Sequence, residues 1–214
     1  MNGITFGTKH TYDDWGLVLT NKALGLPTPK TSSVDIEGAD GVIDTSEVLC
    51  GEIKFNNRIL EFEFTMTTDY EEFNDLVTEI ANYLHGKKLK IILDSDESYY
   101  YVGRCQINQW VSDKRIGKIV IQCDCEPFKY TSANCISNAN INGDTYVKIH
   151  GKRMTVNPII KVTNDMTIVV NGENRNLKVN RENEIPDLFI KEGVNILHFN
   201  GNGIATIIYQ GGEL

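Results

Sequence analysis

Two cysteines two residues apart, Cys123 and Cys125 in the run Ile119-Val-Ile-Gln-Cys-Asp-Cys125, are the first residues whose type and spacing suggest chemistry. A thiolate pair binds soft metals, and Cys105, Cys135 or His150 would have to complete the set. Structural zinc sites normally show two close ligand pairs, and no second pair exists in this chain. The flanking alternation instead puts both thiols on one side of a strand with Ile119 and Ile121, as small buried hydrophobes. Five cysteines, an odd number, do not read as a disulfide framework. No metal ligand set is therefore expected.

A second candidate is Asp94-Ser-Asp-Glu97, where Asp94, Asp96 and Ser98 match the first, third and fifth positions of a calcium loop. Tyr99 stands where that loop needs glycine, and Cys105 where it needs a bidentate glutamate. A solvated hairpin turn is the better expectation. Tyr99, Tyr100 and Tyr101 invite a sugar-stacking reading. Strand alternation sends Tyr99 and Tyr101 to one face and Tyr100 to the other, so the three share no platform. The histidines His10, His85, His150 and His198 are scattered. No nucleophile elbow, His-Glu-x-x-His helix or phosphate loop occurs. A glycosidase pair among the 29 carboxylates would have to be recognised by a measured separation. The expectation is a protein that is not an enzyme, with no catalytic residue and no cofactor.

Charge narrows the partners. With 21 basic and 29 acidic residues the net charge is −8, which disfavours gripping nucleic acid. No eighteen-residue apolar window exists, so no membrane span is expected. The opening MNGITFGTKHTYDDW lacks the basic-then-apolar order of a signal peptide, which points to synthesis in a cytoplasm.

The elements that would position these residues are mostly strands. Leu60, Phe62, Phe64 and Met66 share one face of a strand, and Glu61, Glu63, Thr65 and Thr67 the other. Thr68 to Gly86 reads as the one long helix. Thr68 and Glu71 form a capping box, and Phe73, Leu76, Val77, Ile80, Ala81 and Leu84 form the apolar stripe. Gly86 closes it in the left-handed cap. Short strands are expected between Ile4 and Leu19 around Asp13-Asp14-Trp15-Gly16, with Trp15 as a packing anchor. Residues 22–30, broken by Gly25, Pro27 and Pro29, read as loop. Leu89 to Leu93 is a further strand. Tyr99 to Val111 and Lys118 to Cys125 form a hairpin, with Gly103 as a bulge.

Beyond Pro127 helical periodicity ends. Seven short strands are expected, at 146–149, 159–162, 167–170, 177–179, 188–190, 195–199 and 204–209. Asn171-Gly172 and Asn200-Gly201 are hairpin-turn signals. The pattern predicts two domains, residues 1–132 with the helix and residues 133–214 as a small β-sandwich. The fold class is mainly β with one long helix, α+β in kind.

Before Leu60 lies an acidic, glycine-punctuated stretch: Val34, Asp35, Ile36, Glu37, Gly38, Ala39, Asp40, Gly41, Val42, Ile43 and Asp44. It has too few apolar residues to hold itself in place, yet it leads into a well-specified strand. That suits an arm that reaches a neighbouring subunit and pairs its backbone there.

Taken in order, several features resemble the distal tail (Dit) family of tailed phages, a siphophage tail-tip or baseplate component. They are Tyr12-Asp-Asp-Trp15 with Gly16-Leu17, Pro27-x-Pro29-Lys30, the Ile36–Asp44 stretch, Asn57-Arg58, Tyr100-Tyr-x-Gly-Arg104 and Gly193-Val-Asn195. Ala39 and Glu37 depart from the family, which usually has a basic residue and often a proline there. The resemblance implies a split-barrel-like N-terminal domain that forms a hexameric ring, with a galectin-like sandwich on the rim. It also implies a structural role at the virion tail tip, joining the tail-tube protein to hub or receptor-binding proteins. The rival expectation is a carbohydrate-binding module. Against it, the C-terminal half has no tryptophan, and Tyr146, Phe189, Phe199 and Tyr209 all sit in apolar strand runs that predict core positions.

Overall fold

The computed structural model describes residues 3–67, 70–113 and 115–214. Its contacts divide the chain into two compact units, one running through Lys129 and the other from Tyr130 to Glu213.

The first unit comprises β1 (Ile4–Phe6), β2 (Lys9–His10), β3 (Val18–Leu24), β4 (Ser33–Asp35), β5 (Val42–Asp44), β6 (Arg58–Thr67), α1 (Tyr70–Leu84), β7 (Lys88–Leu93), β8 (Tyr99–Asp113) and β9 (Ile116–Cys125). Seven of these strands form one antiparallel, barrel-like sheet in the order β2-β1-β7-β8-β9-β6-β3. The period-two pattern of β6 sets its inner face. Leu60, Phe62 and Phe64 are fully buried, and they lie opposite Cys123, Ile121 and Ile119 of β9, which are also fully buried. Each such side chain contributes roughly 2 kcal/mol relative to exposure.

The helix covers this floor with Phe73, Val77, Ile80 and Leu84. It sits close: a Cβ built on Gly117 would lie 2.2 Å from the Phe73 ring, so only glycine fits there. Gly86 closes the helix at φ +80° and donates its N–H to the Cys105 carbonyl at 2.7 Å. The expected capping-box residue Thr68 lies outside the described residues. Trp15 is a packing anchor: it is buried, edge-on to Tyr83, and its Nε1–H donates to Glu79 at 3.2 Å.

Three expectations need correction here. Residues 22–24 are strand, not loop, because β3 continues beside β6 to the pair Leu24–Leu60. The bulge of β8 falls between Ile107 and Gln109 rather than at Gly103, which pairs regularly with Cys125. Gly103 is there for a different reason, since a Cβ would lie 2.4 Å from the Cys125 sulfur. Finally, the Asp94 turn is not simply solvated. Its carboxylate accepts the Gly3 N–H at 2.6 Å and faces His10 Nε2 at 3.2 Å.

At the division lies β10 (Lys129–Thr131). The second unit has β11 (Cys135–Gly151), β12 (Ile159–Val162), β13 (Met166–Val170), β14 (Glu173–Leu177), β15 (Asn183–Glu184), β16 (Gly193–Tyr209) and β17 (Gly212–Glu213). Of the seven expected strands, 159–162 is β12 and 167–170 lies within β13. The spans 146–149, 195–199 and 204–209 are instead parts of two 17-residue strands, β11 and β16, paired along their whole length. Of 177–179 only Leu177 is strand, at the end of β14. On its other edge β16 pairs first with β13, at residues 198–200, and then with β12, at residues 205–208. The change of partner falls at Gly201 and Gly203, at φ +150° and +136°, where one strand serves both halves of the sandwich. Residues 188–190 contribute one bridge, Val156–Ile190, instead of a strand. Asn171-Gly172 is the expected two-residue turn, with both residues at positive φ between the paired Val170 and Glu173.

The second unit is closed at its entry by Thr131, whose N–H donates to Gly211 at 3.0 Å and whose carbonyl accepts from Gln210 Nε2 at 2.8 Å. A fragment of residues 130–214 is therefore expected to melt cooperatively on its own. One beginning at residue 136 loses these bonds and the Cys135–Tyr209 pair, and should melt lower. Circular dichroism melts of both fragments check this, and a non-cooperative 130–214 would contradict it.

Candidate assembly surface

The Val34–Asp44 stretch is a hairpin paired with itself. Ser33, Val34 and Asp35 of β4 face Asp44, Ile43 and Val42 of β5. Residues 36–41 turn through Gly38 and Gly41 at φ +85° and +80°, and Ala39 N–H donates to Ile36 O at 3.1 Å. The inward-facing backbone groups of its two strands therefore pair within the hairpin, so any pairing with a neighbour is confined to the outward-facing edges. A chain too poor in apolar residues to build a core can still close a ladder once a stem holds its ends together.

That stem is ordered. Beyond Leu24–Leu60 the β3–β6 ladder continues outward. Gly25 N–H donates to Ile59 O at 3.0 Å, Asn56 to Thr28 O at 2.9 Å and Lys30 to Lys54 O at 2.7 Å. Pro29 and Phe55 form a bridge, and Phe55 packs edge-on to Phe128 at 5.9 Å. At the base of the hairpin, Thr45 N–H donates to Ser32 O at 2.8 Å and Ser32 N–H to Ser46 Oγ at 2.9 Å. The Ser46 hydroxyl and N–H both donate to Asp44 Oδ1, and these bonds hold the Asp44 carboxyl below its ordinary 3.8. The result is a ribbon leaving the edge of the sheet, with the candidate residues at its tip.

Every residue of the tip is exposed. Alternation divides it into unlike faces. Val34 and Ile43, 50% and 52% exposed, are directly opposed on one face. Asp35 with Val42 and Ser33 with Asp44 occupy the other. Along the same ribbon Leu26, Val48 and Leu49 are also exposed, Leu49 to 95%. These three were not among the expected arm residues, and no periodicity marks them.

Arg58, which the sequence offers only as part of the Asn57-Arg58 feature, has a structural place that was not expected. It is buried at the root of the ribbon, where its Nε donates to Gly25 O at 2.7 Å and its Nη1 to Pro127 O at 3.4 Å. Its guanidinium lies over the Tyr101 ring at 5.1 Å. The signal was present: position 58 is in phase with Leu60, Phe62 and Phe64, so a charge there falls on the dry face. The other tyrosines take cations too, with Lys90 over Tyr100 at 4.0 Å and Lys129 over Tyr99 at 4.5 Å.

The remaining candidates do not converge. Among the described residues no group of three or more His, Cys, Asp or Glu is arranged to hold a metal ion. Cys135 and His150 belong to the second unit, whereas Cys105, Cys123 and Cys125 are core residues of the first. Two aromatics expected in the core are exposed instead. Tyr146 is 63% exposed and stacked on His198 at 4.3 Å, and Phe189 is 49% exposed. Tyr146 is out of phase with the inward positions Ile141 and Ile149 of β11, and Phe189 lies off any strand. Phe199 and Tyr209 are buried as expected.

The fold is a helix-covered, barrel-like sheet with a ribbon at its edge, followed in the chain by a second, all-β unit. The crystal structure of SPP1 Dit (gp 19.1), described as a paradigm of the hub adsorption apparatus in phages that infect Gram-positive bacteria, aligns with it at a TM-score of 0.71. The match covers 100% of each chain at 14% identity, a likeness of fold. No protein-family profile matches the chain, and neither does any curated protein sequence.

Two outcomes follow from the ribbon. Arg58→Ala is expected to cost about 3 kcal/mol, because two carbonyls lose a charged donor and Tyr101 its cation. Arg58→Lys should recover only part of it, as chemical denaturation will show. In an NMR titration, the Asp44 carboxyl should have its midpoint below 3.8, and Ser46→Ala should move it up. A depressed value means that any stability from this contact is present above pH 3.8 and is lost as pH falls through the folded midpoint.

Proposed function

We propose that this chain is a structural protein of a phage tail, a distal tail component whose copies close into a hexameric ring. In this reading the ring sits at the virion tail tip and joins the tail-tube end to hub or receptor-binding proteins. One observation carries it: a self-paired ribbon with an exposed tip and an opposed valine–isoleucine pair on one face, held by a buried arginine at its root. Its likeness in fold to SPP1 Dit supports the same reading.

The physical logic is that of a heterologous contact, one surface used on a different one, closed by rotation. A stable interface needs on the order of 1,000 Å². A ribbon adds such area without enlarging the core. Because its strands already pair with each other, what it offers a neighbour is its apolar face and its outer edges, where a further strand can add. The net charge of −8 suits a ring around a DNA conduit, since DNA would not adhere to it.

Deletion of residues 36–43, and separately Val34→Asp with Ile43→Asp, should leave the melting temperature within a few degrees of wild type and abolish incorporation into tails. Solution mass of the protein alone and co-assembled with tail proteins is the readout. Normal assembly by both variants would reduce the ribbon to a surface loop.

A second reading, carbohydrate binding by the C-terminal unit, has one observation in its favour. The exposed Tyr146 ring is held in place by His198, which is itself bonded to Asp144. A glycan screen of the full chain against Tyr146→Ala separates the two readings.

A further inference from the structure

Cys105 and Cys123 are directly opposed across the β8–β9 ladder, with their sulfurs 3.2 Å apart and both side chains fully buried. The backbone shows which kind of pair this is. Cys105 N–H donates to Lys87 O at 2.9 Å, and its carbonyl accepts from Gly86 N–H at 2.7 Å. Both groups therefore point away from β9. A non-hydrogen-bonded antiparallel pair is the closely spaced kind, with Cα atoms about 4.5 Å apart. That lies at the short end of the roughly 4.4–6.8 Å that a disulfide spans. The neighbouring thiol, Cys125, has no such partner, because Gly103 stands opposite it. Cys50 is exposed and Cys135 half-buried in the second unit.

We propose that Cys105 and Cys123 are a modification site, a dithiol that a hydroperoxide converts into a cross-strand disulfide without moving the backbone. In the first step a thiol sulfur attacks peroxide. An S–O bond forms as the O–O bond breaks, giving a sulfenic acid and one water. In the second step the other thiol attacks that sulfur. The S–S bond forms, the S–O bond breaks, and the hydroxyl leaves with the thiol proton as a second water. Two thiols and one hydrogen peroxide thus give one disulfide and two waters; the sulfurs are oxidised and the peroxide reduced.

The site is slow by construction. The contact with Cys105, together with burial, pushes the Cys123 thiol well up, and burial pushes Cys125 up to about 12. Thiolate is the reacting form, so cross-linking accelerates as pH rises. A chain that folds in a reducing compartment and later leaves it passes from dithiol to disulfide in place. The inference does not depend on the assembly reading.

The test uses the full folded chain carrying Cys50→Ser, to remove the exposed thiol. It is treated with dilute hydrogen peroxide, quenched in acid, alkylated in denaturant and digested for mass spectrometry. The expected product is a Cys105–Cys123 linked peptide, with two cysteines still alkylated and a melting temperature raised by several degrees, reversed by dithiothreitol. Adding Cys125→Ser should leave the link intact, and adding Cys123→Ser should abolish it. Four alkylatable cysteines after treatment, a link through Cys125, or conversion to sulfinic acid with no linked peptide would each overturn the proposal.

Discussion

The register between β6 and β9 is the constraint on which the first unit rests. Leu60–Cys123, Phe62–Ile121 and Phe64–Ile119 are opposed pairs with no solvent exposure, and the helix lies on the floor they make. A slip of one residue would turn Glu61 and Glu63 inward and expose three large side chains, a loss of several kcal/mol by any area estimate. On its other edge β9 has its own register with β8, which places Cys105 opposite Cys123, and β9 also carries Gly117 beneath Phe73. β6 in turn pairs with β3 as far as Leu24–Leu60, and the ribbon begins beyond that pair. The ribbon is thus a peripheral element whose position is decided in the core.

Much of this was legible because side-chain periodicity reports burial directly. The alternation of β6 and the stripe of α1 each describe one buried face, and both are seen in the structure. Fold class was readable for the same reason: one helical period in a chain of two-residue periods. Turn signals were less dependable, and the two Asn-Gly pairs show why. Nothing lies within 4 Å of a Cβ built on Gly172, so local preference decides and the chain reverses. Gly201 has the Met166 Cβ 2.5 Å from where its own would be, inside a strand whose every residue pairs with β11. Tertiary pairing there outweighs the turn preference of the dipeptide. Gly201 is needed for a close approach and a change of partner, not for a reversal.

The candidate surface was legible in part. Acidic residues punctuated by glycines mark a segment outside any core, and Val34 to Asp44 is entirely exposed. Its self-pairing was not legible, because an eleven-residue span with few apolar groups shows no alternation strong enough to announce a ladder. What decides the ladder is the stem, and the stem depends on contacts distant in sequence: Gly25 with Arg58, Arg58 with Pro127, Phe55 with Phe128. The exposed rings Tyr146 and Phe189 failed as core expectations for a related reason. A hydrophobic run fixes what is nearby in sequence, but not which face of an edge strand meets the core.

A projecting ribbon with an apolar face poses a problem that Arg58 answers. The tip cannot contribute burial to its own folding, so its conformation must be set at the root. An aliphatic residue at position 58 would bury well, but it would leave the Gly25 and Pro127 carbonyls without this donor. The guanidinium satisfies both and lies on Tyr101, so the charge is desolvated among partners instead of alone. Lysine could not do the same, since a single ammonium lacks the planar fork that reaches two carbonyls while lying on a ring. Order at the root lets exposed valine and isoleucine be presented in one geometry. In the assembly proposed above, presenting them already ordered would reduce the entropy cost of binding. That is the physical sense in which a well-packed core and an unpacked arm belong to one device.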